Sequence, residues 1–227
     1  MATSGTTAFG PDFTEIAEEA WERAGREMRS GYDLRTARRS MDLLTIEWQN
    51  RGINMWTIDE GTIAMVDGTA TYNLPADTVD LLEHVIRTGS GSTQSDLNMT
   101  RISMSTYSSI PNKNTESRPI QVYIDRAIAT PTVTVWPVPD ASSTYTLVYW
   151  RMRRIEDSGT GDNTPDVNFR FLPALIAGLA YYIAMKISEV TMERRMELKQ
   201  DYMEQFQLAA EEDREKATFR LVPRIRG

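Results

Sequence analysis

His84 is the chain's only histidine, and it limits what chemistry these residues can do. An imidazole-based triad needs a nucleophile and an orienting carboxylate beside the ring, and a zinc site needs several imidazole or thiolate ligands. With one histidine and no cysteine, neither can be assembled within one subunit, nor can a disulfide or a cysteine nucleophile. His84 falls in a segment that reads as strand, so a structural role is expected. Gly89-Ser-Gly-Ser-Thr93 has the composition of a phosphate loop but neither its lysine nor its spacing, and reads as a solvated loop. A glycosidase needs two carboxylates at a defined separation. The 32 acidic residues are plentiful, but none stands out as such a pair. No catalytic, cofactor-binding or metal-binding residue is assigned, and the expectation is a protein that is not an enzyme.

Charge and apolar surface carry what remains. The densest basic cluster, Arg151-Met-Arg-Arg154, is expected to pair with neighbouring acids as strand residues, because no aromatic platform accompanies it. A small nucleic-acid-binding module is the alternative there. Glu211, Glu212 and Asp213 read as a solvated helix face or a channel lining. The segment 218–227 alternates basic and apolar residues, and Pro223 blocks further helix. Phe219, Leu221, Val222 and Ile225 cannot form a core alone. They need a surface to lie on, either the chain's own body or another protein.

The elements that must position these groups follow from periodicity. The chain has 227 residues, 41% hydrophobic, with a formal net charge of −7, so it is not an obvious nucleic-acid binder as a whole. The first residues carry neither a basic nor an apolar stretch of the signal-peptide kind, so none is expected. The apolar run from Leu172 to Met185 is shorter than the roughly 20 residues a membrane span requires, so a buried helix is expected.

A helix is expected over 12–28, capped by Asp12 with Glu15 completing a capping box. A second is expected from an Asp33 cap to Arg51, with Gly52 at its C-terminal cap and a second apolar side at Leu43 and Ile46. The two read as an antiparallel hairpin. Asp67-Gly68 predicts a β-hairpin between 62–66 and 69–74. Further strands are expected at 79–87, 120–125, 132–136 and 145–153, with a short helix within 102–110. A helix begins near Phe171 with Pro173 in its first turn, and a final helix ends near Ala217. The 171–185 helix is apolar almost all round, with small Ala174, Ala177, Gly178, Ala180 and Ala184. Such a helix is either central to one subunit or shared with a neighbour. In the second case Leu175, Leu179, Tyr182 and Ile183 would form a subunit interface. The expected fold class is α+β: terminal helices forming a helical bundle, a central β-strand insertion and an extended C-terminal tail. In domain terms, this is a body over 1–217, helical at 12–52 and 169–217 and β-rich at 53–165, and a docking tail at 218–227.

Arg29-Ser-Gly-Tyr-Asp-Leu-Arg-Thr-Ala-Arg-Arg-Ser-Met-Asp-Leu-Leu44 and Trp48-Gln-Asn-Arg-Gly-Ile-Asn-Met-Trp56 together resemble the head-to-tail adaptors of short-tailed bacteriophages. The resemblance continues through Ala70-Thr-Tyr-Asn-Leu-Pro75, Ile110-Pro-Asn-Lys-Asn114, Phe169-Arg-Phe-Leu-Pro-Ala-Leu175, Asp213-Arg-Glu-Lys-Ala217 and Arg220-Leu-Val-Pro-Arg224. It spans most of the chain, and the order of these packing and turn words carries it. It implies a virion protein made in the host cytoplasm, forming a twelve-fold homo-oligomeric ring beneath the portal protein at the head–tail junction. The ring would present a surface to distal tail proteins, the nozzle, fibre or spike. Helices would surround the DNA channel and the β part would lie outside. Double-stranded DNA would pass without specific binding, which suits an acidic lining at Glu211, Glu212 and Asp213. Phe219, Arg220, Leu221, Val222, Pro223, Arg224, Ile225 and Arg226 would then bind the portal, with the arginines meeting acids and the apolar side chains filling pockets. Some relatives are credited with peptidoglycan hydrolase (muramidase) activity, which is the alternative reading.

Overall fold

The computed structural model describes Gly5, residues 9–53 and residues 55–213. The protein is α+β, with five helices and two four-stranded sheets among the described residues. It divides into two compact units, Met1–Trp56 with Ile155–Gly227, and Thr57–Arg154.

The first unit is helical. Helix α1 (Phe13–Arg23) starts at a complete capping box, in which Asp12 accepts from the Glu15 N–H and Glu15 accepts from the Asp12 N–H. Its free N-terminal donors are satisfied from a distant loop: Phe13 N–H donates to the Asn163 carbonyl at 3.0 Å and Thr14 N–H to the Gly161 carbonyl at 3.1 Å. The helix ends earlier than its periodicity predicts. Gly25 adopts φ +85, and the Gly25 and Arg26 N–H groups close back onto the carbonyls of Glu22 and Trp21.

Helix α2 (Gly31–Asn50) is capped by Ser30, not by Asp33. Asp33 instead accepts from the Ser30 hydroxyl and the Arg29 N–H, so the helix starts before the expected cap. Gly52, at φ +81, ends it as expected. Phe13, Ile16, Ala17, Ala20 and Trp21 of α1 are buried, as are Ala37, Met41, Leu44 and Trp48 of α2. Both helices pack chiefly on α4 (Leu172–Ala184) and less on each other, so the expected α1–α2 hairpin is not the main contact. Leu43 and Ile46, the second apolar side of α2, stay more than half exposed.

Helix α4 is the hub, because its all-round apolar surface is buried from several directions. A Cβ at Gly178 would lie 2.8 Å from Leu44 Cδ2 and 2.9 Å from Tyr202 Cε2. The glycine is thus what allows α2 and α5 (Met192–Glu212) to close on the hub together. Thr191 caps α5, accepting from the Arg194 N–H, which sets the break between α4 and α5.

The second unit is built from β1 (Ile58–Ala64), β2 (Thr71–Asn73), β3 (Thr78–Thr88), β4 (Ser95–Asn98), β5 (Thr100–Arg101), β6 (Gln121–Asp125), β7 (Thr132–Trp136) and β8 (Tyr145–Arg153), with α3 (Met104–Ser109) between β5 and β6. The sheets run β1-β8-β3-β4 and β2-β7-β6-β5. Leu81, Ile86, Leu147 and Tyr149 of the first sheet share one core with Val122, Ile124, Val133 and Val135 of the second. The expected hairpin at Asp67-Gly68 does not form. The turn is there, with Gly68 at φ +71 and Thr69 N–H bonded to the Val66 carbonyl, but β1 pairs with β8 and β2 with β7. The turn passes the chain from one sheet to the other.

Candidate interaction surfaces

Two arginines of the β unit's basic cluster are held in ion pairs. Arg151 donates from Nη1 to Asp77 Oδ1 at 2.6 Å and from Nη2 to Asp59 Oδ2 at 3.3 Å, and Arg153 reaches Asp59 at 3.2 Å. Arg151 and Arg153 of the basic cluster are thus paired with acids as the strand reading expects, and the Arg151 guanidinium holds the Asp77 carboxyl below its usual range.

His84 points inward because register shifts in β3 between Thr78 and Asp80 and between Leu81 and Glu83 change the alternation, so that Leu81, His84 and Ile86 are all buried. Neither of its ring nitrogens reaches a hydrogen-bond partner among the described residues. Burial lowers its pKa below the ordinary 6.5, opposed in part by the Glu83 charge and aided by that of Arg101. The unfolded chain therefore takes up a proton near pH 6.5 that the folded chain refuses until a lower pH. Stability should fall as pH drops below 6.5 and flatten once pH passes below the folded value. Urea midpoints between pH 7.5 and 5.5 should show this drop, and His84→Gln should remove it.

The exposed surface of the helical unit is more distinctive. A groove runs along α5 over the end of α4 as two adjoining hollows, one of about 590 Å³ reaching α2 and one of about 610 Å³ between α4 and α5. Tyr181, Met185, Lys199 and Met203 line both. Met185, Met192, Met196 and Met203, four of the chain's 12 methionines, are each more than half exposed here. Soluble monomers rarely leave a concentrated apolar patch in water, and flexible thioethers suit a surface that adapts to a partner.

A polar ladder forms the inner wall of the groove. Tyr182 donates to Glu47 Oε2 at 2.6 Å, Tyr202 donates to Glu47 Oε1 at 3.3 Å, and Trp48 Nε1 donates to the Tyr202 hydroxyl at 3.0 Å. Arg51 pairs with Glu47 and lies over the Phe206 ring at 4.8 Å. Burial pushes the Tyr202 phenol up to about 12, and burial with the Glu47 contact raises that of Tyr182 further. Both remain neutral donors, so this is a structural brace. Lys186 donates to Ser40 Oγ at 2.6 Å, and burial followed by the Arg39 charge lowers its pKa.

The expected interface residues separate into two kinds. Leu175, Leu179 and Ile183 have no exposed surface, being spent in the subunit's own core. Tyr182 alone reaches the groove. Glu211 and Glu212 are exposed on the last turn of α5, and Asp213 caps it half-buried. The tail, Phe219 to Arg226, lies outside the described residues.

The methionine flank is not among the candidate sites read from the sequence above. Its signal was present: Met192, Met196, Lys199 and Met203 recur at helical spacing on one side of α5, interrupted by a charge that a core stripe would exclude. Among the described residues there is no group of three or more histidines, cysteines or acids arranged to hold a metal, and no helix is long and apolar enough to cross a membrane.

No match was found among curated proteins. The family described as SU10 adaptor protein matches residues 11–224, nearly the whole chain, and agrees with the resemblance to phage head-to-tail adaptors. An exposed apolar groove and an acidic helix end are features an assembly component would present, and the chain belongs to the SU10 adaptor protein family.

Proposed function

We propose that the protein is a non-enzymatic adaptor that forms a twelve-fold ring beneath the phage portal, joining the DNA-filled head to the tail and continuing the DNA channel. Family membership over residues 11–224 is the observation that carries this reading. In this reading the terminal helices form the bundle around the channel. Glu211, Glu212 and Asp213 turn toward the passing DNA, where carboxylates repel phosphate and prevent retention. The tail 218–227 extends onto the portal, with Phe219, Leu221, Val222 and Ile225 as anchors and Arg220, Arg224 and Arg226 pairing with portal acids around Pro223. The distal rim receives the next tail protein. The protein is made in the host cytoplasm and resides in the virion at the head–tail junction.

Support for a ring also comes from the helical unit. Its core is complete within one subunit, yet it leaves methionines exposed beside half-buried Tyr181 and Tyr182 in a groove. Native mass measurement of the protein alone and with its cognate portal rings tests the reading. We expect portal complexes heavier by twelve subunit masses. Added mass of one or two subunits per portal, or none, would overturn it.

A further inference from the structure

The groove along α5 selects its occupant by charge. Its rim carries Arg51, Lys186, Arg195 and Lys199 against only Glu47 and Glu204. Arg51 is neutralised by Glu47, whereas Lys199 has no ion pair among the described residues. In a chain of net charge −7 this is a local reversal of sign. A basic segment is disfavoured there, which counts against the chain's own Arg220, Arg224 and Arg226 as the filling. An acidic surface with an apolar projection fits.

The same unit carries such a surface on another side. Glu15, Glu18, Glu19 and Glu22 recur at the spacing of one helix face along α1, and all are exposed. Only Glu19 among them pairs with a cation in the described residues, meeting Arg23 at 2.8 Å. Arg23 also lies 3.7 Å from Asp201, which places that flank of α5 beside α1. Leu208, 62% exposed, lies seven residues beyond Asp201, on the same flank of α5. Lys199 and Met203 each stand two positions from Asp201, so at 3.6 residues per turn they point almost the opposite way. Helix α5 therefore separates a basic, methionine-rich face from an acidic face bearing one exposed leucine. Two complementary but unlike faces on one subunit make a head-to-tail contact, the kind that closes into rings.

We propose that the methionine groove of each subunit takes the acidic α1–α5 face of the next copy, with Lys199 and Lys186 meeting the α1 glutamates and Leu208 entering between the methionines. The proposal rests on the ring reading above and adds which surfaces close the ring.

The test uses the full chain and its cognate portal rings, read by native mass spectrometry. One variant carries Lys199→Glu with Met203→Glu, and the other Glu18→Lys with Glu22→Lys; all four positions are exposed. Each variant alone brings like charges together at every contact, and its assembled fraction should fall roughly tenfold or more. An equimolar mixture should recover rings in which the two variants alternate, because the reversed groove then meets the reversed stripe and the native groove meets the native stripe. Wild-type rings together with unimpaired variants, or with a mixture that does not recover, would overturn these surfaces and leave the ring standing. Failure of the wild type to form rings on the portal would overturn both.

Discussion

Trp48→Ala should destabilise the helical unit by about 3–5 kcal/mol, the cost of removing a large aromatic side chain from a packed core. Trp48 has no exposed surface and lies with its ring 5.4 Å from Phe171 and 5.9 Å from Phe206. Its indole N–H is the donor to Tyr202, whose hydroxyl in turn reaches Glu47. The substitution thus opens a cavity among aromatic rings and also removes the donor to a buried phenol. Domains commonly hold only about 5–15 kcal/mol in total, so the loss is a large share of what is available. Urea titration followed by helical circular dichroism measures it. Trp48→Phe should keep most of the volume and lose the hydrogen bond, costing roughly 1–3 kcal/mol. If Trp48→Ala unfolds at the wild-type urea concentration, the groove wall is not braced in this way.

Local chemistry was the legible part of this fold. The Asp12–Glu15 capping box, the Gly52 cap, Pro173 at the start of α4 and the strands later found as β3, β6, β7 and β8 could all be read because each depends on a few adjacent residues. Errors arose where a distant partner decides the outcome. Asp67-Gly68 makes its turn, yet β1 and β2 pair with β8 and β7 because each joins a different sheet of the shared core. The short β4 has no buried residue to mark it, and its pairing with β3 supplies the strand. His84 faces inward through register shifts that no alternation pattern reveals.

The interaction surface was legible in part for the same reason. The apolar character of α4 left two alternatives, central or shared, and composition could not choose between them. Burial assigns Leu175, Leu179 and Ile183 to the subunit interior and leaves Tyr182 at the groove edge. Methionine is ambiguous in a sequence because it serves cores and adaptable surfaces equally. Met41 is buried in the helical core, whereas Met196 and Met203 are exposed.

Co-sedimentation with portal rings of the full chain, and of the chain lacking 218–227, tests the adaptor role most directly. The tail contributes four apolar side chains and three arginines within ten residues. Interface energy concentrates in a few such anchors, and losing even two worth about 2 kcal/mol each would weaken binding by roughly a thousandfold. The full chain should sediment with the portal and the truncated chain should remain in the supernatant, with its helical circular dichroism unchanged. A full chain that does not sediment with the portal, or a truncated chain that binds as well as the full one, would contradict docking through this segment.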